Sequence, residues 1–152
     1  MVTHAPSRRV SQALYRQRAA HYDAELAAFE PLRRRALDGL ALSPGSTVLD
    51  IGCGTGLSLP MLCQAVGEHG RVVGVEPCFD MIAQARRRGL LAGWPQLRLV
   101  HGDAVHARLP RRADAALFHF THDVLQQPAA LDHILGHLRP GAVVVACGLC
   151  WS

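Results

Sequence analysis

The chain has 152 residues, a length suited to one domain with a single core, and its 49% apolar content argues for a globular protein rather than a disordered one. No apolar run reaches the length of a membrane span of about 18 residues, and the arginine-bearing start, Met1 to Val10, has no apolar stretch behind it, so neither a transmembrane helix nor a signal peptide is expected. The net charge of +4 is carried largely by Arg8, Arg9, Arg16, Arg18 and the run Arg33–Arg35. A solvated helix face is its plainest reading and contact with anionic lipid the alternative, while 5% aromatic residues argue against a stacking platform for single-stranded nucleic acid.

In chain order, residues 7–21 read as a helix with Val10, Ala13 and Leu14 on one side and arginines on the other. Pro31 opens a second helix with a buried stripe of Leu32, Ala36, Leu37 and Leu40, ended by Ser43-Pro44-Gly45. Strict alternation follows: a strand at 47–51, a glycine loop and a helix at 57–66, a strand at 71–76, a helix at 79–88 and a strand at 97–101. A fourth strand is expected at 115–120, a helix at 129–138 and a fifth strand at 142–147. Short apolar strands joined by helical crossovers predict an α/β fold, a Rossmann-like doubly wound parallel sheet in three layers, with strand order 3-2-1-4-5. Residues 1–42 are expected to form an N-terminal helical segment able to close over the site, and residues 43–152 the binding domain. Five cysteines, an odd number with three in apolar-periodic segments, read as reduced thiols in the cytoplasm.

The chemistry concentrates in Val48-Leu49-Asp50-Ile51-Gly52-Cys53-Gly54-Thr55-Gly56, at the end of the first strand. Glycines there let the backbone turn sharply and approach a ligand. Three acids accompany them: Asp50 in the motif, Glu76 at the end of the next strand and Asp103 after the third. Asp50 would repel a pyrophosphate and favours a ligand with a cationic end. A carboxylate at Glu76 can accept hydrogen bonds from ribose hydroxyls, and Asp103 can accept from an adenine amino group.

Asp50 to Gly56 resembles motif I of the class I S-adenosylmethionine (SAM)-dependent methyltransferases. Val72-Val73-Gly74-Val75-Glu76-Pro77 is similar to their second motif, and Gly102-Asp103-Ala104 to their adenine-binding segment. Asp114 to Asp123 resembles the strand-four region that faces the methyl group, and Leu138-Arg139-Pro140-Gly141-Ala142 the turn into strand five. The opening, with Tyr15 and Ala19-Ala20-His21-Tyr22-Asp23, is similar to the ubiquinone/menaquinone-type and phospholipid-type branches. The resemblance implies SAM as cofactor, S-adenosylhomocysteine as product, and a small-molecule or lipid acceptor. It carries the cofactor contacts onto Asp50, Gly52, Cys53, Gly54, Thr55, Gly56, Glu76, Pro77, Met81, Asp103, Ala104 and Phe118, with Tyr22 over the methionine part.

His119 and His122 are the candidates for a general base, with a hydrogen-bonded pocket wall as the plainer role. Phe118-His119-Phe120-Thr121-His122-Asp123 lacks the Pro-Pro-aromatic signature of amino-methylating nucleic-acid enzymes, which argues against a DNA or RNA base as acceptor. His133 and His137 have a metal-compatible spacing but no third ligand, and Cys147-Gly148-Leu149-Cys150 lies at a strand end rather than a helix start, so no metal or redox site is expected. A SAM-binding domain without catalysis and a nicotinamide-dependent dehydrogenase are the rival readings; Asp50 ahead of the glycines counts against the latter. The resembling family continues past strand five, so strands six and seven are expected to be absent here. The bare strand-five edge then suggests a fragment, or a homodimer paired through that edge.

Overall fold

A computed structural model describes residue 21 and residues 23–148; Tyr15, Tyr22, Cys150, Trp151 and nearly all of the helix expected over 7–21 lie outside the described residues. Strands β1 (Thr47–Ile51), β2 (Arg71–Glu76), β3 (Leu97–His101), β4 (Ala113–His119) and β5 (Leu138–Cys147) form one sheet in the order β3-β2-β1-β4-β5, every pair parallel. The helices are α1 (Glu30–Gly39), α2 (Leu59–Val66), α3 (Phe79–Ala92), α4 (His122–Leu125) and α5 (Pro128–Leu135). A short 3-10 turn, Ala27–Phe29, leads into α1, and Pro31 sits in the first turn of that helix, where a missing N–H costs nothing.

Successive strand residues point to opposite faces, which divides the core in two. Val48, Val72, Ala115 and Leu117 meet Ala36 and Leu40 of α1, Leu59, Leu62 and Val66 of α2, and Ala85 of α3. Leu49, Ile51, Val73, Val75, Ala116 and Phe118 meet Ala130 and Ile134 of α5. The central strands are apolar on both sides because both sides are covered. In this register Asp50 lies between Gly74 of β2 and Leu117 of β4, so the carboxyl ends of β1, β2 and β4 come together.

Several boundaries differ from the sequence reading. Helix α3 runs on through Gly89 to Ala92 and stops at Gly93, whose φ is +66°. A Cβ on Gly89 would fall 2.7 Å from Leu97 Cδ2, so this glycine lets α3 lie close on β3. Strand β4 begins at Ala113, and β5 begins at Leu138, passing through Pro140-Gly141 with a register shift between Ala113 and Ala115. Asp114 pins that irregularity: it accepts from Thr47 N at 2.7 Å and from Arg139 Nε at 2.6 Å. Proline is tolerated there because β5 is an edge strand, and Val144 is accordingly 44% exposed rather than buried on both faces. Helix α4 has no counterpart in the sequence reading, and α5 stops at Leu135. No helix among the described residues is long and apolar enough to cross a membrane.

Candidate functional site

Asp50 is the fourth residue of β1, between the apolar Leu49 and Ile51, in a strand that is buried from Val48 onward. It is 2% exposed, and its Oδ2 has no hydrogen-bond partner. Burial pushes its carboxyl up to about 7; the Arg33 guanidinium opposes that rise and the Glu76 carboxylate adds to it.

Beyond Ile51 the chain must reverse into α2. Gly52 makes the turn with φ +72°, and its N–H and that of Cys53 donate to Val75 O at 2.8 and 3.0 Å. A Cβ on Gly52 would fall 2.2 Å from Thr121 Cγ2, so the loop and the segment between β4 and α4 are in intimate contact only because this residue has no side chain. Gly74 does the same for Cys53, whose Sγ would lie 3.0 Å from its Cβ. Glu76 closes the loop from β2: Oε2 accepts from Gly54 N at 3.0 Å and Oε1 from Cys78 N at 2.9 Å. Each oxygen keeps a free lone pair, since a carboxylate offers about four acceptor positions. Burial raises the Glu76 carboxyl above its ordinary range in spite of these two bonds.

Arg33 approaches from α1. It is 4% exposed; Nη1 donates to Ser58 Oγ at 2.9 Å and Nε to Glu30 Oε2 at 3.1 Å, while Nη2 has no partner. His119, the last residue of β4, is buried with Nε2 unpartnered, and burial, then Arg33, lowers its pKa to about 4. Buried polar atoms without partners are rare in folded proteins and call for an explanation. Here Arg33, Asp50 and His119 line one open cleft, together with the loop residues Gly52 to Thr55 and with Leu26, Leu57 and Ser58. The buried Thr121 Oγ1, at the edge of this group against Gly52, is also unpartnered.

A latch ties the incoming chain to the loop. Thr55 Oγ1 donates to Asp23 Oδ1, Arg88 Nη2 donates to Asp23 Oδ2 at 2.7 Å, and Arg88 Nε donates to Thr55 O at 3.2 Å.

Of the residues named from sequence, Asp50, Gly52, Cys53, Gly54, Thr55 and His119 line the cleft, Glu76 holds its loop and Gly56 completes that loop against Leu59. Met81 is buried in a small cluster with Cys78, and Pro77 O accepts from His101 Nε2 at 3.1 Å. Asp103 caps its own turn, with Oδ1 accepting from Val105 N and His106 N and lying 3.0 Å from His106 Nδ1, and Ala104 joins the core behind it. Phe118 does not reach the cleft: it is fully buried on the α5 face of the sheet, one residue out of phase with His119. His122 is exposed on α4, its ring against Gly148. His133 Nε2 bonds Ala107 O and His137 Nδ1 bonds His133 O, and the described residues hold no cluster able to bind a metal. Arg33, Ser58 and Thr121 were not anticipated. Arg33 was legible in principle, because within the arginine run it alone falls in step with Ala36 and Leu40.

A family profile described as a methyltransferase domain matches residues 48–141. Among curated proteins, a 37.1 kDa protein of transposon TN4556 from Streptomyces fradiae is 38% identical over 113 residues, 72% of this chain and 32% of that protein. The 2-phytyl-1,4-naphtoquinone methyltransferase of Thermosynechococcus vestitus is 32% identical over 111 residues, 72% of this chain and 48% of its own length. A dTDP-3-amino-3,6-dideoxy-alpha-D-glucopyranose N,N-dimethyltransferase of Streptomyces fradiae is 36% identical over 122 residues, covering 74% and 45%. The chain thus spans about a third to a half of the length of these relatives. Among solved structures, a SAM-dependent methyltransferase from Aquifex aeolicus superposes with TM-score 0.66 at 27% identity, over 74% of this chain and 62% of that one. The DhpI–S-adenosylhomocysteine complex shares the fold with TM-score 0.69 at 24% identity, over 88% and 64%. With more than half of its length matched by the profile, and with that sheet order, the chain belongs to the methyltransferase-domain family, among the class I SAM-dependent methyltransferases.

Proposed function

We propose that the chain binds SAM across the carboxyl ends of β1, β2 and β4 and supports transfer of its methyl group to a small-molecule acceptor. One observation carries the reading. Arg33 and Asp50, of opposite charge and each with a buried, unpartnered polar atom, line one cleft beside the glycine loop. An α-amino acid end, with its carboxylate for Arg33 and its ammonium for Asp50, satisfies both. Glu76, with lone pairs to spare, would hold the ribose hydroxyls, and Asp103 and Ala104 border the adenine. Bound SAM supplies a methyl group already activated on a sulfonium cation, with S-adenosylhomocysteine as the product.

The protein's own part is alignment. His119 is neutral at pH 7 because its pKa is held near 4, too low for an efficient general base at that pH, so it serves as a wall of the cleft. Rate then comes from holding an already nucleophilic acceptor in line and excluding water. The relatives, a naphthoquinone and an amino-sugar methyltransferase by name among them, support a small organic acceptor. The free Cys53, Cys63, Cys78 and Cys147 support a reducing, cytoplasmic setting.

Thermal-shift titration with SAM, S-adenosylhomocysteine and NAD tests the cofactor. The first two should raise the melting temperature and NAD should not; stabilisation by NAD alone would overturn the reading. Release of S-adenosylhomocysteine with a panel of quinone, phenol and amine acceptors tests the transfer. Tight SAM binding with no release from any acceptor would reduce the role to cofactor binding.

A further inference from the structure

Helix α3 is covered on one side only. Met81, Ile82 and Ala85 are buried, whereas Phe79 is 59% exposed, Leu90 83% and Leu91 82%. These are three of the five large apolar side chains exposed among the described residues, so their collection on one helix is not the usual scatter. At about 100° per residue, Phe79, Arg86 and Leu90 fall in one stripe, with Arg87 and Leu91 beside it. Arg86 and Arg87 are exposed, while Arg88 turns inward to Thr55 and Asp23. The one carboxylate of the helix, Asp80, shares the first turn with Phe79 and falls in step with Arg87, so two exposed arginines stand against one half-buried acid on this face. The outer face is therefore apolar with a net positive charge, and its two leucines are more than four-fifths exposed.

We propose that this face of α3 docks on an anionic lipid bilayer, Leu90 and Leu91 entering the boundary of the acyl chains while Arg86 and Arg87 meet the headgroup phosphates. Exposed leucines beside arginines match that surface in both apolarity and charge: the apolar tips gain by leaving water, and the guanidinium groups remain among anions. Phe79 follows Glu76 by three residues, so a bilayer along α3 runs beside the cleft at its β2 side. The inference stands on exposure and charge and is independent of the cofactor assignment.

Co-sedimentation of the full chain with phosphatidylcholine vesicles, with and without phosphatidylglycerol, tests it. Binding is expected only where phosphatidylglycerol is present, and it should weaken as salt is added. The pairs Leu90→Ser with Leu91→Ser, and Arg86→Glu with Arg87→Glu, should each weaken it about tenfold or more, with an unchanged circular-dichroism melting curve showing that the fold is intact. Absent binding, equal binding to pure phosphatidylcholine, or binding that neither pair alters would overturn the proposal. So would light scattering that shows a dimer dissolved by the leucine pair, because the face would then join two copies.

Discussion

If Asp50 pairs with the ammonium of SAM as proposed, cofactor binding should depend on pH. Its carboxyl is ordinarily near 3.8 and rises to about 7 in the folded chain. The folded state therefore holds this proton more tightly than the unfolded one. That contribution to stability is full below about pH 4 and is lost as pH rises through about 7; it is at most about 4 kcal/mol. Binding runs the other way, because only the ionised carboxylate pairs with an ammonium. SAM should bind about tenfold more tightly at pH 7 than at pH 5.5, and Asp50→Asn should remove most of that slope; a flat profile for the unaltered chain in calorimetry would contradict the pairing. Glu76→Ala should weaken SAM by about 1.5–3 kcal/mol, the range for losing hydrogen bonds to a charged group. It should also lower the melting temperature, since Gly54 N and Cys78 N lose their acceptors. Equal affinity in the variant would remove Glu76 from the ribose. Asp50 and Glu76 were readable from sequence because acids at the ends of apolar strands stand out. Arg33 was not, because an arginine run reads as solvated surface unless its phase against Ala36 and Leu40 is followed.

The loop between β1 and α2 works as a unit with the turn between β4 and α4, and Gly52 is where they meet. Gly52→Ala forces a side chain into the left-handed region and against Thr121 Cγ2. The backbone part costs about 1–2 kcal/mol and the overpacking about 1–3. Thr121→Ser removes the methyl group that is struck, so the double variant should recover the overpacking part and keep the backbone part. Urea unfolding of the two single variants and the double variant measures this, and simple additivity would show that the contact is not the cause. Strands β1, β2 and β3 coincide with their sequence reading, because short stretches rich in valine, leucine and isoleucine are each set off by turn residues. Helix α4 escaped notice because one turn, His122–Leu125, has no period to read. The true start of β5 was hidden by Pro140-Gly141, a turn signal that an edge strand held by Asp114 and Arg139 can absorb.

The sheet gathers residues from distant parts of the chain into one cleft: Arg33 from α1, Asp50 from β1, Glu76 from β2 at its rim and His119 from β4. Such convergence at the carboxyl ends of parallel strands is where ligands bind in doubly wound folds. The alternation of strand and helix made that arrangement legible. The division of labour inside the cleft was not, because it depends on which polar atoms the folded packing leaves unpaired. If the account is right, two ends of one ligand are recognised by separate residues. Calorimetry with SAM and with 5′-methylthioadenosine, which keeps the adenosine and lacks the amino acid, tests this most directly. Arg33→Met should weaken SAM by about 1.5–3 kcal/mol and leave 5′-methylthioadenosine unchanged, whereas Glu76→Ala should weaken both. Failure of the folded chain to bind SAM, or equal losses for both ligands on Arg33→Met, would contradict the account.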